Sequence, residues 1–335
     1  MKYRILGKTG LRVSIIGLGG IPIQRTDAAG TAALLDKLEE GGVNFIDTAR
    51  GYTVSEEYLG AALAGRRDRF ILATKAMSRT YRDMRRDIEQ SLKNLRTDYI
   101  DLYQLHNLPL AGFEQVMAED GAMAALRDAV QEGIVGHIGA TFHSPDALRQ
   151  ALEYPELETV MFPYNIVENQ GLEAFALARE RGVGVIAMKP MAGGNITDGR
   201  LALRYILNNE DCTIAIPGMA DGAEAEINLA AAEDISPLTA EELAQVEEWR
   251  QTLGGDFCRR CGYCAPCTAG IDIPACFTMA NYAERYDLAE WAAGRYAAFA
   301  AHAEDCVGCG ECEKRCPYQL PIREKLAEVK KIFGR

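Results

Sequence analysis

Short apolar runs alternate with amphipathic stretches along most of the chain. The runs are rich in isoleucine, valine, leucine and phenylalanine, which is typical of strands buried on both faces of a sheet. Between the runs, apolar residues recur at helical spacing, as at Met84, Ile88, Leu92 and Leu95. Eight strands are predicted in this way, at residues 15–19, 43–47, 70–75, 99–106, 136–142, 159–164, 184–189 and 213–217.

This alternation predicts an α/β fold. Eight strands, each followed by a helix, within about 235 residues favour a closed parallel (β/α)8 barrel, the TIM barrel, over an open doubly wound sheet. An open sheet that binds a dinucleotide would carry a glycine fingerprint after its first strand, but Pro22 stands where the third glycine belongs. Residues 2–14 predict a small hairpin before the barrel.

Length, composition and charge indicate the number of domains and the cellular location. With 335 residues, 48% hydrophobic and 25% charged, the chain predicts a globular protein with one large and one smaller domain. A net charge of −12 without a block of lysine and arginine disfavours nucleic-acid binding. No apolar leader and no run of ~18 apolar residues occurs, so we expect no membrane segment and a cytoplasmic protein.

Four ionisable side chains fall at the carboxyl ends of predicted strands, where the active site of such a barrel lies. They are Asp47, Tyr52, Lys75 and His106. Each of them alone is also an ordinary surface or core group, so the candidate site depends on their meeting at one rim. An ammonium lowers the pKa of an adjacent phenol, a carboxylate keeps the ammonium charged, and a neutral imidazole donates to a substrate oxygen.

With these residues in view, the first part of the chain resembles an aldo-keto reductase. The resemblance implies that Tyr52 is the general acid/base, that Lys75 and Asp47 tune it, and that His106 orients the substrate. It also implies a nicotinamide cofactor that delivers hydride to a small carbonyl substrate or accepts it from an alcohol. The matching segments are residues 42–49 with Tyr52, 74–75, 98–106, 138–142, 163–165, 187–194 and 216–218 with Asn228.

The same resemblance implies a set of cofactor contacts. Many members of that family place lysine or arginine after the last strand to pair with the 2′-phosphate of NADPH. Here residues 218–224 contain no cation and two carboxylates. A carboxylate repels a phosphate but accepts from a free ribose hydroxyl, so either NAD(H) or NADP(H) is expected, with NADH favoured. The implied contacts are Gly19, Thr141, Met161, Met188, Pro190, Gly218, Glu224 and Asn228.

The cysteines indicate a second kind of chemistry. Cys212 alone lies before residue 258, and the other nine fall between Cys258 and Cys316. The cysteines form two sets of four with two-residue gaps, except that three residues precede Cys316. The second set ends in Cys-Pro, as in bacterial iron–sulfur ferredoxins. Zinc also binds such cysteine pairs, so four-cysteine zinc sites are the alternative. The candidate ligands are Cys258, Cys261, Cys264, Cys267, Cys306, Cys309, Cys312 and Cys316.

The tail resembles a mostly α-helical ferredoxin-type domain with two [4Fe-4S] clusters, and aldo-keto reductases with such a domain form a recognisable subfamily. The resemblance implies that Cys316 joins the first three cysteines of the first set, and that Cys267 joins the first three of the second. The first set departs from the usual pattern, with two residues rather than three before Cys267 and with Thr268 instead of proline. A single cluster therefore remains an alternative.

Three segments are predicted: a barrel at residues 1–232, a connector helix at 233–255 and an iron–sulfur domain at 256–335. The first functional hypothesis is carbonyl reduction or alcohol oxidation, with clusters that stabilise the tail or exchange electrons with a redox protein. The second is an electron-transfer enzyme in which cluster electrons reach a substrate or partner. The third is a non-catalytic scaffold that presents the ferredoxin module, which the intact set of four residues at the rim disfavours.

Overall fold

The computed structural model describes residues 1–254 and 257–334. These residues form two compact units. The first unit contains Met1–Met191 and Asp198–Leu238, and the second contains Ala192–Thr197 and the described residues from Thr239 onward. The boundary predicted between residues 255 and 256 lies outside the described residues. No described helix is both long and apolar enough to cross a membrane.

The first unit begins with an antiparallel hairpin and continues as a ring of eight parallel strands. Gly17 N donates to Ala215 O (2.9 Å) and Gly19 N donates to Pro217 O (2.8 Å), which joins the first strand of the ring to the last. The predicted (β/α)8 barrel is therefore confirmed. The strands are β1 (Tyr3–Ile5) and β2 (Arg12–Ser14) in the hairpin, and β3 (Leu18–Gly19), β4 (Phe45–Asp47), β5 (Ile71–Ala76), β6 (Ile100–Leu105), β7 (Val135–Thr141), β8 (Thr159–Pro163), β9 (Gly184–Met188) and β10 (Ile214–Ile216) in the ring.

Helices of the first unit follow the ring strands and begin at side-chain caps where the sequence supplies them. Asp27 Oδ1 accepts from Gly30 N (2.7 Å) at the start of the first helix. The third helix buries Met84, Ile88 and Leu95, as its spacing predicts. The helices are α1 (Ala28–Glu40), α2 (Ser55–Ala62), α3 (Tyr81–Leu95), α4 (Phe113–Met117), α5 (Ala122–Gln131), α6 (Pro145–Ala151), α7 (Leu172–Glu180), α8 (Gly199–Leu207) and α9 (Gly222–Glu233).

The interior of the barrel is a packed core. Phe45 and Leu102 of the ring belong to one buried cluster with Leu6 of the hairpin. Lys8 N donates to Gly182 O (2.5 Å), two residues before β9 begins. The hairpin therefore covers the amino-terminal end of the ring. The opposite rim, at the carboxyl ends of the strands, is where barrels of this kind build their sites.

The second unit is mostly helical, as predicted for the tail. Its first helix begins at a capping box, since Thr239 N donates to Glu242 Oε2 (2.8 Å) and Glu242 N donates to Thr239 Oγ1 (3.2 Å). Cys276 and Tyr296 lie in the buried core of this unit. Its helices are α10 (Ala240–Gly254), α11 (Ile273–Arg285), α12 (Ala289–Ala297), α13 (Glu311–Arg315) and α14 (Ile322–Phe333).

Candidate active site and metal centres

Three ring strands present ionisable residues at one rim. Asp47 is the last residue of β4, Lys75 lies next to the end of β5, and His106 directly follows β6. The parallel register of these strands brings their carboxyl ends together. Lys75 Nζ lies 2.5 Å from Asp47 Oδ2 and also donates to Thr48 O (2.8 Å). Both members of this ion pair are buried.

Tyr52 lies in the loop between β4 and α2 and joins the same cluster. Lys75 Nζ is 5.0 Å from the centre of the Tyr52 ring. The Tyr52 and His106 rings meet edge to face, with 6.0 Å between their centres. The structure thus brings all four predicted residues together, with an ammonium and an imidazole beside a half-buried phenol.

Burial acts on both members of the Lys75–Asp47 pair. It raises the pKa of Asp47 and lowers the pKa of Lys75, and the attraction between the two charges opposes both shifts. Gln104 Nε2 donates to Asp47 Oδ1 (3.2 Å), which favours the ionised carboxylate. The sequence predictions omit Gln104. A polar residue within an apolar strand such as β6 is a recognisable sequence signal, and in the structure the Gln104 side chain is fully buried.

A second residue that the sequence predictions omit supports the loop that carries Tyr52. Glu56, in the first turn of α2, is buried and accepts from Arg50 Nη1 (2.7 Å) and from Thr74 Oγ1 (2.8 Å). Arg50 N donates to Lys75 O (3.0 Å). Glu56 therefore connects both ends of the Tyr52 loop to β5. A glutamate in a first helical turn is ordinarily exposed and interacts favourably with the helix dipole. The sequence position of Glu56 therefore does not reveal that it is buried.

The residues predicted to contact a nicotinamide cofactor lie mostly at the rim and seam of the ring. Gly19 and Gly218 pair across the seam, and Thr141 at the end of β7 is in register with Met161 of β8. The Met161 side chain is buried in the interior cluster of the barrel, where it packs as core. The remaining predicted residues are Met188 at the end of β9, Pro190 after it, and Glu224 and Asn228 on α9.

A cation approaches the predicted nucleotide segment from a distant part of the chain. Arg25 Nη2 donates to both carboxylate oxygens of Glu224 (2.7 and 3.0 Å). Residues 218–224 contain no cation themselves, so their sequence does not reveal this partner. Asp221 Oδ1 accepts from the backbone N–H groups of Ala223 and Glu224 (2.9 Å each). The amino-terminal end of α9 is therefore capped by a carboxylate of the chain.

Eight cysteines of the second unit line two cavities. Each combines cysteines from both sequence sets, since Cys316 lines the first and Cys267 the second. The first cavity is lined by Cys258, Cys261, Cys264 and Cys316, and the second by Cys267, Cys306, Cys309 and Cys312.

The donor set of these cavities fits iron–sulfur clusters. Four cysteine thiols surround each cavity, and thiolates are the ligands of [4Fe-4S] clusters. Within residues 1–254 and 257–334, no three or more histidine, cysteine or carboxylate side chains are arranged to hold one metal ion. A cluster separates its ligands more widely than a single zinc ion does. In the second cavity Cys309 is exposed, and its Sγ lies 3.3 Å from Thr268 Oγ1.

Both parts of the chain match known families. Residues 15–201 match the Aldo/keto reductase family, and residues 257–321 match a 4Fe-4S dicluster domain. An L-galactose dehydrogenase of Arabidopsis thaliana is 28% identical over 303 residues, which cover 74% of this chain and 93% of the relative. An NADH-specific methylglyoxal reductase of Escherichia coli is 29% identical over 237 residues, covering 62% and 72%. The holo form of an aldo-keto reductase from Bacillus halodurans superposes with a TM-score of 0.66 at 28% identity, covering 74% of this chain and 96% of that structure.

Proposed function

Since this chain belongs to the aldo/keto reductase family and carries a 4Fe-4S dicluster domain, we propose that it reduces the carbonyl group of a small molecule with a nicotinamide cofactor, or oxidises the corresponding alcohol. One observation carries the proposal. The buried Lys75 ammonium lies 2.5 Å from the Asp47 carboxylate and 5.0 Å from the centre of the Tyr52 ring. A buried ion pair beside a phenol is suited to proton transfer by that phenol.

In the proposed reaction, Tyr52 is the general acid for reduction and the general base for oxidation. A bound dihydronicotinamide would supply a hydride, and thus two electrons, to the carbonyl carbon. The Tyr52 hydroxyl gives its proton to the carbonyl oxygen, and Lys75 stabilises the phenolate that remains. Asp47 keeps the ammonium charged and oriented, and His106 orients the substrate by donating to its oxygen.

The charges around α9 support NADH as the cofactor. A 2′-phosphate near this helix would meet the carboxylates of Asp221 and Glu224, whereas a free ribose hydroxyl would find acceptors there. Arg25 is already paired with Glu224, so its positive charge is largely neutralised. The E. coli relative, which is named as NADH-specific, is in line with this preference.

We further propose that the two cysteine-lined cavities hold two [4Fe-4S] clusters. The first cluster would bind Cys258, Cys261, Cys264 and Cys316, and the second would bind Cys267, Cys306, Cys309 and Cys312. Clusters of this kind stabilise the fold of the surrounding chain and carry single electrons. The exposure of Cys309 supports electron exchange between the second cluster and a redox protein.

An iron–sulfur electron-transfer enzyme is the second candidate. A hydride carries two electrons at once, whereas a [4Fe-4S] cluster carries one, so carbonyl reduction at Tyr52 does not itself require the clusters. The exposed Cys309 favours the second candidate, and the buried Lys75–Asp47 pair beside Tyr52 favours the first. The scaffold hypothesis is weaker, because a scaffold has no use for a buried ion pair. We also propose that the protein is located in the cytoplasm.

Anaerobic turnover distinguishes the candidates. The protein is purified without oxygen, its iron and sulfide are counted, and a panel of aldehydes and ketones is offered with NADH or NADPH. Oxidation of NADH that matches alcohol formation, without bleaching of the cluster absorbance, supports the proposed function. Bleaching of the clusters by NADH, without reduction of any carbonyl compound, supports the second candidate and contradicts the first.

A further inference from the structure

A guanidinium at the rim of the barrel is not neutralised. Arg79 follows β5, four residues after Lys75, and its side chain is half-buried. Its Nη2 atom donates to the backbone oxygens of His106 (2.7 Å) and Asn107 (2.9 Å). Its Nη1 atom is buried and has no hydrogen-bond partner among the described residues.

The electrostatic surroundings of Arg79 differ from those of two other partly buried arginines that flank β4 and β5. Arg50 pairs with Glu56 (2.7 Å), and Arg67 pairs with Asp101 (2.6 Å). Burial lowers the pKa of Arg79, and no described carboxylate is close enough to oppose the shift. The guanidinium nevertheless stays charged, because its ordinary pKa lies far above neutrality.

Two backbone carbonyl groups do not complete this environment. They satisfy the hydrogen bonds of Nη2, but they are neutral and leave the charge uncompensated. Partial burial of an unpaired charge and of an unpartnered N–H group is costly. A clamp for the loop after β6 would need only neutral donors, so the full positive charge of Arg79 remains to be explained. An anion from a ligand, bound at the accessible part of this half-buried side chain, would compensate the charge.

The position of Arg79 relates such an anion to the proposed chemistry. Arg79 contacts the backbone of His106, and the His106 ring meets the Tyr52 ring. A single small molecule can therefore present its carbonyl group to Tyr52 and His106 and a negative group to Arg79. Guanidinium groups bind carboxylates and phosphates with two parallel hydrogen bonds, which adds specificity to the attraction.

We propose that Arg79 binds the anionic group of the substrate, so that the preferred substrates are aldehydes or ketones that also carry a carboxylate or a phosphate. This inference rests on the proposed function, because it assigns a substrate class to the same site. Arg79 acts here as a specificity-determining residue, and the hydride and proton transfers are unchanged.

Matched substrate pairs test the assignment with the cluster-loaded full chain. 4-Oxobutanoate is compared with its methyl ester, and glycolaldehyde phosphate with glycolaldehyde. The native protein is expected to favour the anionic member of at least one pair, and that pair identifies carboxylate or phosphate as the group recognised. In Arg79→Met the ratio of kcat/KM between anionic and neutral substrates should fall on the order of 100-fold, mainly through KM. Arg79→Lys should retain part of the preference.

The ratio separates recognition from a structural role. If Arg79 only holds the loop after β6, its removal lowers turnover of both members of a pair by the same factor, and the proposal is overturned. A native protein without preference for either anion overturns it as well. Arg82→Met is the matched control, because Arg82 is an exposed arginine three residues away in α3. Its ratio should change less than about threefold, since an exposed charge is screened by solvent.

Equilibrium binding keeps the two proposals distinguishable. If the native protein reduces no carbonyl compound, the proposed function fails, and calorimetric titration with succinate and with inorganic phosphate then decides about Arg79. Binding of one anion per chain that is lost in Arg79→Met and kept in Arg82→Met supports an anion site. Absence of binding to the native protein, or equal binding to both variants, overturns it.

Discussion

The Arg25 guanidinium hydrogen-bonds both oxygens of the Glu224 carboxylate, although 199 residues separate the two in the sequence. Arg25 follows β3 and Glu224 lies in the first turn of α9, so the pair joins the loops on both sides of the seam that closes the ring. If a nucleotide binds here, as we propose, this contact decides which charge it meets. While Glu224 is paired with Arg25, the positive charge of Arg25 is occupied and the carboxylate remains the acceptor for a ribose hydroxyl.

Replacing Glu224 should shift the nucleotide preference. Glu224→Gln removes the negative charge and frees Arg25 to bind a 2′-phosphate. We expect the ratio of the dissociation constants of NADPH and NADH to fall roughly tenfold, which corresponds to one charge-assisted hydrogen bond. Fluorescence titration with both nucleotides measures the ratio. Glu226→Gln is the control, because Glu226 lies on the same helix as Glu224 but pairs with Lys37 of α1 instead of Arg25. An unchanged ratio in Glu224→Gln would refute the assignment.

Tyr52→Phe should abolish carbonyl reduction and spare the rest of the protein. Loss of a positioned general acid typically lowers the rate about 10²–10⁴-fold. Steady-state kinetics with the best aldehyde of the panel tests this, while NADH binding and iron content should match those of the native protein. Tyr58→Phe removes a hydroxyl from the neighbouring helix α2 and should retain turnover. Full activity in Tyr52→Phe would remove Tyr52 from the proposed mechanism.

Removal of only one member of the Lys75–Asp47 pair should lower the stability of the protein strongly. Lys75→Met leaves the Asp47 carboxylate buried without its ammonium, and we expect the free energy of unfolding to fall by about 3–5 kcal/mol. The double variant Asp47→Asn/Lys75→Met removes both charges and should recover part of this loss. Denaturant unfolding followed by circular dichroism measures both. Equal loss in the single and double variants would mean that the uncompensated charge is not the cause.

The destabilisation of Lys75→Met should depend on pH. Burial raises the pKa of Asp47, and without Lys75 its main opposing attraction is gone. The folded variant therefore holds a proton on Asp47 over a pH range in which the unfolded chain does not. Folding then takes up a proton, so stability is greatest below the unfolded pKa and is lost as pH rises through the folded pKa. The difference from the native protein should thus be smaller at pH 5.5 than at pH 8, and the reverse order would contradict it.

Two single variants, each without one cysteine of a different cavity, should show whether there are two clusters. The native protein is expected to contain about eight iron atoms, and Cys264→Ala and Cys312→Ala about four each, because each loses a ligand of a different [4Fe-4S] cluster. Colorimetric iron and sulfide assays after anaerobic purification give the counts. Cys276→Ala should keep about eight, since Cys276 belongs to the core of the second unit. A native count of about four would support a single cluster.

The fold class and the location of the acid–base cluster follow from local sequence patterns. Burial on both faces makes each ring strand a continuous apolar run, and an amphipathic helix repeats its apolar residues every three or four positions. Because the strands of a barrel are parallel, any residue that ends a strand lies at the same rim. The meeting of Asp47, Lys75 and His106 can therefore be predicted without knowledge of any contact, and the structure brings them together. Cysteine spacing also predicts iron–sulfur chemistry from local sequence, because cysteines two residues apart in one loop can bind the same cluster.

The contacts that tune the site depend on residues far apart in the chain. Arg25 reaches Glu224 because the ring closes, and Glu56 becomes a buried acceptor because α2 packs where Arg50 and Thr74 converge. The burial of the Met161 side chain in the core was likewise decided by packing. The sequence alone therefore determined the barrel, its rim and the chemistry of the tail, through periodic burial and short spacings. Which charges are paired became evident from the three-dimensional contacts alone, because pairing depends on how distant loops meet.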